Sequence, residues 1–229
     1  DYPKQWLSGR EIQKNGVLRV VSFSPDLDYV CGEAHRAYAY FRPALWVRHL
    51  LFVKDSTEGR HPYILVCDEI EAGEYPRSFA WQLHLAHPFS LDGRDLAVQG
   101  SRSSMTVHFL APPDGPLIKK ETPAPLPNER THFIQWRTPQ PQKRAYYLAA
   151  MAPQTSTGQS RAPMFRMVDA AGGWAVEVTS GTARDIVLFR SERAASVSAQ
   201  GVGTTGTAAL FRNVGPGPAL LYHLGKPPQ

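Results

Sequence analysis

The stretches LWVRHLLFV (residues 45–53) and YILVCDEI (residues 63–70) decide the fold class. Both are short and rich in β-branched and aromatic residues, which is typical of β-strands. Similar runs recur along the chain at 17–23, 38–41, 45–53, 63–70, 79–86, 105–110, 132–137, 145–150, 173–179, 185–190, 208–213 and 219–224. Because the 229 residues include 18 glycines and 20 prolines, little room is left for a long helix. The sequence therefore predicts an all-β protein.

About a dozen strands exceed the number in a simple immunoglobulin-type unit and predict a large antiparallel β-sandwich of two packed sheets. Two polar stretches, 111–130 and 153–163, are predicted as surface loops, since the strand pattern continues on both sides of each. We therefore expect one domain over residues 1–229. The letters GVGTTG at 201–206 match a phosphate-binding fingerprint but lack its strand–turn–helix context, so a loop is predicted there.

The charge pattern bears on possible partners. The net charge is +5, but lysine and arginine are scattered along the chain. A nucleic-acid-binding domain would carry a basic stripe on one face, so no nucleic-acid partner is expected. A mild positive field suits an acidic polysaccharide, although an incidental surplus of cations would look the same. No apolar run approaches the roughly 18 residues of a membrane helix, which predicts a soluble chain with no membrane partner.

Two cysteines, Cys31 and Cys67, lie in apolar strand-like runs without any paired-cysteine metal motif. They are predicted to be buried free thiols, and pairing between them stays open.

One histidine and one aspartate interrupt apolar strand faces. With a period of two, His49 shares a face with leucines and valines, and Asp68 shares one with isoleucines and valine. A carboxylate that faces a core costs several kcal/mol unless it is paired or bound to a metal. Consecutive strands commonly pair, so the two residues are expected to meet. Either they share a zinc ion with a third ligand, or Asp68 simply orients His49 by a hydrogen bond.

The third ligand is ambiguous from the residues alone. His84 follows on the next strand, but the apolar face of that strand has the opposite parity and directs His84 away with Gln82. His87 has the parity that would reach the core. A β-bulge would reconcile His84 with the site.

These segments resemble the C-terminal β-sandwich region of the heparinase II/III-like polysaccharide lyases. The matching pieces are DYVCGEA (28–34), AY (37–38), VRHLLFV (47–53), YILVCDEI (63–70), WQLHL (81–85), 148–153, GGW (172–174) and DIVLF (185–189). The resemblance spans most of the chain, and its sharpest part is the series arginine-histidine, aspartate, leucine-histidine.

The resemblance implies a two-domain enzyme in which an N-terminal helical toroid, absent from this chain, supplies most of the cleft. It implies a structural zinc held by His49, Asp68 and His84. Such lyases cut uronate-containing polysaccharides, for example glycosaminoglycan or alginate, by β-elimination, in the periplasm or outside the cell. In some members a tyrosine between the metal aspartate and the second metal histidine takes part, and the tyrosine matching that position is Tyr75. Tyr75 is therefore the candidate catalytic residue.

Other functions remain open at this stage. A carbohydrate-binding or adhesion module without catalysis would display a row of exposed aromatic rings, so the burial of Trp46, Trp81, Trp136 and Trp174 separates it from the lyase hypothesis. A stand-alone metal-dependent hydrolase would need a water-accessible metal with a general base beside it.

Overall fold

The computed structural model describes residues 16–38, 43–54, 61–123, 130–155, 162–213 and 218–225. These ranges hold the strands β1 (Val17–Phe23), β2 (Leu27–Glu33), β3 (Leu45–Val53), β4 (Tyr63–Glu71), β5 (Ala80–Leu85), β6 (Phe89–Asp92), β7 (Asp95–Gln99), β8 (Ser103–Ala111), β9 (Leu117–Pro123), β10 (Arg130–Arg137), β11 (Arg144–Thr155), β12 (Met164–Val168), β13 (Gly173–Ser180), β14 (Ala183–Arg190), β15 (Val197–Ala199), β16 (Val202–Thr204), β17 (Ala208–Asn213) and β18 (Pro218–Leu224). A short 3-10 turn, His35–Ala37, follows β2. No helix in these ranges is long and apolar enough to cross a membrane.

The strands form four antiparallel sheets. An eight-stranded sheet has the order β1-β2-β3-β4-β11-β8-β7-β6, a five-stranded sheet the order β12-β13-β14-β17-β18, and a three-stranded sheet the order β5-β10-β9. Strands β15 and β16 pair as a separate hairpin. The eight-stranded sheet is the middle layer, because its two faces pack against the five-stranded and the three-stranded sheet.

The first core lies between the eight-stranded and the five-stranded sheet. It includes the fully buried rings of Tyr29, Tyr63 and Phe189. One buried carboxylate links the two sheets. The hydroxyl of Tyr63 donates to Oδ2 of Asp185 at 2.8 Å, and Arg212 donates from Nε to Oδ1 at 2.6 Å and from Nη2 to Oδ2 at 2.8 Å. Asp185 is thus satisfied although it is buried.

The second core lies between the eight-stranded and the three-stranded sheet and is built around aromatic rings. The indole of Trp136 packs edge-to-face on Phe109, Tyr147 and Trp81, with centroid distances of 5.2, 5.0 and 6.4 Å. Such geometry is favoured because the positive ring edge meets the negative ring face.

Strand β4 is buried on both faces, because it lies inside the middle layer. Leu65 and Cys67 belong to the first core, whereas Val66 and Ile70 belong to the second. Its acidic residue Glu69 is also buried and accepts hydrogen bonds from Oγ of Ser191 at 2.7 Å and from the backbone N–H of Glu192 at 2.8 Å. Because neither face of such a strand is exposed to solvent, its sequence lacks the apolar–polar alternation that would predict which face each side chain is on.

The predicted all-β antiparallel sandwich is confirmed, with differences in detail. The described residues form eighteen strands instead of about a dozen, and a third large layer covers the second face of the middle sheet. The predicted loop at 111–130 contains β9, and the loop predicted at 201–206 contains β16. Of the strand predicted at 38–41, Tyr38 lies outside any strand, and residues 39–41 lie outside the described ranges.

Candidate functional site

His49 lies in the middle of β3 and faces the first core, where it is fully buried. Its register neighbours are Cys31 on β2 and Cys67 on β4, which are both buried free thiols as predicted. Nδ1 of His49 is 2.8 Å from the hydroxyl of Tyr29, and the imidazole centroid is 5.4 Å from that of Phe189. His49 is thus a packed core residue with one hydrogen bond.

The charge state of His49 follows from its surroundings. Burial, reinforced by the positive charges of Arg19 and Arg190, lowers the pKa of His49 to about 3. The imidazole is therefore neutral at neutral pH. Its Nε2 atom is buried and has no hydrogen-bond partner among the residues that the structure describes.

Asp68 follows Cys67 on β4 and therefore points to the opposite face of the sheet. Its carboxylate is buried, and Arg48 donates from Nε to Oδ1 and from Nη2 to Oδ2, each over 2.6 Å. Burial raises the pKa of Asp68, and the Arg48 guanidinium opposes that rise. The side chain of Arg48 is 49% exposed, so this ion pair reaches from the second face of the sheet to the solvent. Its two-pronged geometry is the strong form of a guanidinium–carboxylate contact.

His84 lies on β5, in the three-stranded sheet, and is exposed. Its ring stacks on Phe133 with centroids 4.9 Å apart, and Nε2 is 3.4 Å from Oε1 of Gln82. The outward direction is the one that strand parity predicts. His87, the alternative ligand, follows β5 and is exposed as well.

The structure does not bring His49, Asp68 and His84 together. Register pairs Asp68 with Arg48 and His49 with Cys67, so His49 and Asp68 lie on opposite faces, and the expectation that they meet is wrong. Within the described ranges, no three His, Cys, Asp or Glu side chains are close enough to hold a metal ion. As placed here, these residues do not fit one zinc site, and the zinc implied by the resemblance stays a prediction.

Tyr75 lies in the loop that follows β4. The loop is fastened to the start of β11, because Arg77 and Gln142 exchange backbone hydrogen bonds of 3.0 and 2.9 Å. In addition, the ammonium group of Lys143 donates to the carbonyl oxygens of Gly73, at 3.2 Å, and Glu74. The side chain of Tyr75 itself is 61% exposed. The backbone of this loop is thus anchored, and the loop presents the phenol of Tyr75 to solvent.

Cationic side chains lie on or beside this loop. Arg77, Lys143 and Arg144 are exposed. Arg193 donates to Oε2 of Glu71 from Nε at 3.1 Å and from Nη2 at 2.7 Å, and Arg144 lies 3.8 Å from the other oxygen of that carboxylate. We call Tyr75 and these four cations the Tyr75 rim. Arg144 and Arg193 share the carboxylate of Glu71. Arg77 and Lys143, by contrast, form no ion pair with a carboxylate among the described residues, and these two exposed charges favour an anionic ligand.

The four tryptophans of the described residues divide into two groups. Trp81 and Trp136 are buried in the second core. Trp46 and Trp174 are partly exposed, and each contacts a tyrosine: Tyr38 stacks on Trp46 with centroids 4.3 Å apart, and Tyr146 lies 5.4 Å from Trp174. A carbohydrate-binding module would display a row of exposed aromatic rings. The four tryptophans in the described part of the chain do not form such a row.

Tyr146 is absent from the residues that the sequence patterns single out, and Arg48 is present only within the arginine-histidine series of the resemblance. Tyr146 is the third residue of β11, beside the buried Tyr147, and its partner Trp174 is on the five-stranded sheet, so their contact depends on how the sheets pack. Arg48 carried a signal, because it directly precedes His49 on a strand that pairs with the strand of Asp68.

Comparison with solved structures supports the fold assignment. No family model and no curated protein matches the chain. Among solved structures, the heparan sulfate lyase HepC from Pedobacter heparinus superposes with a TM-score of 0.56 at 15% identity, over 76% of this chain and 28% of that chain. A heparinase III, the BT4657 gene product, superposes with a TM-score of 0.52 at 14% identity, over 77% of this chain and 28% of that chain. The chain has a heparinase-like β-sandwich fold and spans little more than a quarter of the structures that it matches.

Proposed function

We propose that this chain is the β-sandwich part of a polysaccharide lyase that cleaves uronate-containing acidic polysaccharide by β-elimination. The heparinase-like fold supports the proposal. The matched region is only 28% of each lyase structure, which supports a larger partner domain for the rest of the cleft. The resemblance assigns that role to an N-terminal helical toroid.

The observation that carries the proposal is the Tyr75 rim. An exposed phenol on a fastened loop, with the exposed cations Arg77, Lys143 and Arg144 on or beside that loop, combines a proton-transfer group with positive charges that attract anions. A substrate chain of uronates would be held by those cations beside Tyr75. The rim is open to solvent, which is expected of a surface that forms one side of a cleft with a second domain.

The chemistry can be written from these groups. In β-elimination the C5 proton of the uronate leaves, a double bond forms between C4 and C5, and the bond from C4 to the glycosidic oxygen breaks. A base of the partner domain takes the C5 proton, and the departing oxygen takes up a proton from an acid, which afterwards regains one from solvent. Cations at the uronate carboxylate stabilise the negative charge that develops when C5 loses its proton, and Lys143 and Arg144 are suited to this role. Tyr75 is suited to transfer the proton to the leaving oxygen.

The polymer also suggests a location. Polysaccharides such as glycosaminoglycans and alginate lie outside the cytoplasm, so a periplasmic or secreted protein is part of the proposal.

The test is the turnover of the full-length protein that contains this chain, followed by the ultraviolet absorbance of the unsaturated uronate product. Heparan sulfate and alginate are the probes. Tyr75→Phe should lower kcat by about 10²- to 10⁴-fold, the usual contribution of one positioned acid or base, with little change in KM. Tyr222→Phe is the matched control, because its hydroxyl bonds to Asp26, away from the rim, and it should leave kcat unchanged.

The two possible failures of this test differ. Full turnover by Tyr75→Phe would remove Tyr75 from the chemistry. Binding of both polymers with no unsaturated product would instead support a carbohydrate-binding module without a catalytic role.

A further inference from the structure

We propose that the groove beside Tyr146 and Trp174, here called the Trp174 groove, is a subsite that stacks one pyranose ring of a polysaccharide. The inference rests on the proposed function for the identity of the polymer. The subsite is separate from the Tyr75 loop, and neither the sequence nor the fold comparison assigns it.

The groove is large enough for one sugar unit. It lies where β11 of the eight-stranded sheet approaches β12 and β13 of the five-stranded sheet, and its volume is about 460 Å³. Small-molecule sites in proteins span roughly 300 to 1,000 Å³. Its apolar wall is formed by Leu110, Ala111, Pro113 and Met167.

Two aromatic rings give the groove its chemical character. The Tyr146 and Trp174 rings have centroids 5.4 Å apart and an interplanar angle of 32°, and both line the groove. Tyr146 is 37% exposed. A pyranose ring has an apolar C–H face and a rim of hydroxyl groups, so an aromatic face with a polar edge matches it better than aliphatic side chains do.

A carboxylate is available for the sugar hydroxyls. Asp169 is exposed in the turn between β12 and β13 and lines the same groove. An ionised carboxylate only accepts hydrogen bonds, and each sugar hydroxyl can donate one. The combination of a ring face and an acceptor therefore favours a sugar over a purely apolar ligand.

The position of Trp174 is fixed by its backbone. A Cβ atom on Gly173 would lie 2.1 Å from the carbonyl oxygen of Phe189, and one on Gly172 would lie 2.0 Å from that of Ser196. Gly172 also has φ +78°, which side-chain-bearing residues rarely adopt. The two glycines thus allow the backbone at the start of β13 to pack directly against the backbone of Phe189 and Ser196. The backbone that carries the indole is therefore constrained, and the ring already contacts Tyr146 before any ligand binds, which lowers the entropic cost of binding.

The groove also connects to the cations of the Tyr75 rim. Tyr146 and Arg144 are two residues apart on the same face of β11, which corresponds to roughly 7 Å along a strand. Arg144 pairs in register with Glu71, the carboxylate that Arg193 contacts. A polymer that stacks one ring on Trp174 would bring a neighbouring unit to these cations. That charge pattern selects an acidic chain over a neutral one.

The first test measures binding by the 229-residue chain itself. Heparan sulfate and alginate hexasaccharides are titrated by calorimetry, with a dextran oligosaccharide as the neutral comparison. Trp174→Ala should weaken binding of the acidic hexasaccharide about tenfold, the effect of losing one good aromatic contact. Trp46→Ala is the matched control, because this tryptophan is also half-buried against a tyrosine but lines a different groove, and its affinity should equal that of the wild type.

Unchanged affinity in Trp174→Ala, or an equal loss in Trp46→Ala, would overturn the subsite. If Trp174→Ala does not fold by its thermal unfolding curve, Tyr146→Ala removes the partner ring from a more exposed position and is held to the same tenfold criterion.

Kinetics of the full-length protein separate this inference from the proposed function. Trp174→Ala should raise KM with kcat unchanged, whereas Tyr75→Phe should lower kcat. Turnover with an unchanged KM in Trp174→Ala would refute the subsite and leave the lyase proposal intact. Binding that depends on Trp174 without any unsaturated product would refute the lyase proposal and leave the subsite intact.

Discussion

Arg48 and Asp68 form a two-pronged ion pair across neighbouring strands, on the face of the middle sheet opposite His49. Each prong measures 2.6 Å, and the carboxylate is buried while the guanidinium is half exposed. The arginine thus supplies the positive charge that a buried aspartate requires. The aspartate that interrupts the apolar pattern of β4 is explained by this pair without a metal ion.

Removal of the arginine should destabilise the fold in a pH-dependent way. Arg48→Ala leaves the Asp68 carboxylate buried without its counter-ion, so we expect a loss of about 2–3 kcal/mol in unfolding free energy at pH 7. This is less than the roughly 3–5 kcal/mol of a fully buried pair, because solvent screens the half-exposed guanidinium. Burial already raises the pKa of Asp68, and loss of Arg48 raises it further. A carboxyl with a raised pKa loses stability as the pH rises through that pKa.

The loss in unfolding free energy caused by Arg48→Ala should therefore be smaller at pH 5 than at pH 7, as measured by urea unfolding at both pH values. Arg144→Ala is the control, since its side chain is 65% exposed and lies 3.8 Å from Glu71, and it should cost at most about 1 kcal/mol. A deficit that grows on acidification would contradict the account.

His49 should make the fold sensitive to mild acid. Its pKa is about 3 in the folded chain and about 6.5 when unfolded, so the unfolded state binds more protons between these values. Stability is then lost as the pH falls from 7 towards 3. Between pH 7 and pH 5 this one group should remove about 2 kcal/mol.

His49→Gln lacks the titrating group, so its unfolding free energy should fall by about 2 kcal/mol less over the same interval. Equal acid sensitivity in both proteins would mean that the imidazole is not kept neutral by burial. His84→Gln replaces an exposed histidine and serves as the comparison; its unfolding free energy should fall as much as that of the wild type over this interval.

Loss of the Asp185 link between the two sheets of the first core should strongly lower the unfolding free energy. Asp185→Ala leaves the buried guanidinium of Arg212 without this carboxylate, and the expected loss is about 3–5 kcal/mol. Tyr63→Phe removes one neutral donor to the same carboxylate and should cost about 1–2 kcal/mol. Chemical denaturation of both variants gives the comparison. A Tyr63→Phe loss as large as that of Asp185→Ala would show that the ion pair contributes little.

Elemental analysis tests the zinc prediction directly. Because His49, Asp68 and His84 lie apart in the structure, we expect the purified chain to hold far less than one zinc per molecule. His49→Ala should change that content little. One zinc per chain in the wild type that disappears in His49→Ala would restore the ligand set implied by the resemblance, and it would require a different placement of Asp68.

The sequence predicted some elements residue by residue and missed others for identifiable reasons. Strands β3 and β17 were located with their observed bounds, because both are dense in apolar residues. The run around Cys31 is strand-like, but no strand was delimited at β2 because Asp28, Gly32 and Glu33 lower its strand propensity, while its pairing with β1 and β3 keeps it extended. Pairing across the sheet overrode the local preference.

The candidate site could be predicted only in part. The core-facing direction of His49 was correct, since β3 alternates between buried and accessible residues. Asp68 does face a core beside Val66 and Ile70, but it is the second core, so the expectation that it meets His49 was wrong: β4 is buried on both sides, and its apolar residues do not mark one inner face. The register that sets Arg48 against Asp68, and the sheet packing that sets Tyr146 against Trp174, are relations between distant segments. No local pattern encodes them.

The double burial of β4 has a consequence for how the chain avoids misalignment. A one-residue slip exchanges the two faces of a strand, and in most sheets it is opposed because it moves apolar groups into water. For β4 such a slip would only transfer them from one core to the other. Asp68 and Glu69 are different, since each has its own partner on its own side, in Arg48 and in Ser191. These two neighbouring acids therefore disfavour a shifted pairing register of β4, because a shift would separate each of them from its partner. Replacing Arg48 and Asp68 together by leucine should then keep the protein folded but give several amide signals for each β4 residue in NMR spectra, whereas one sharp set would refute this role.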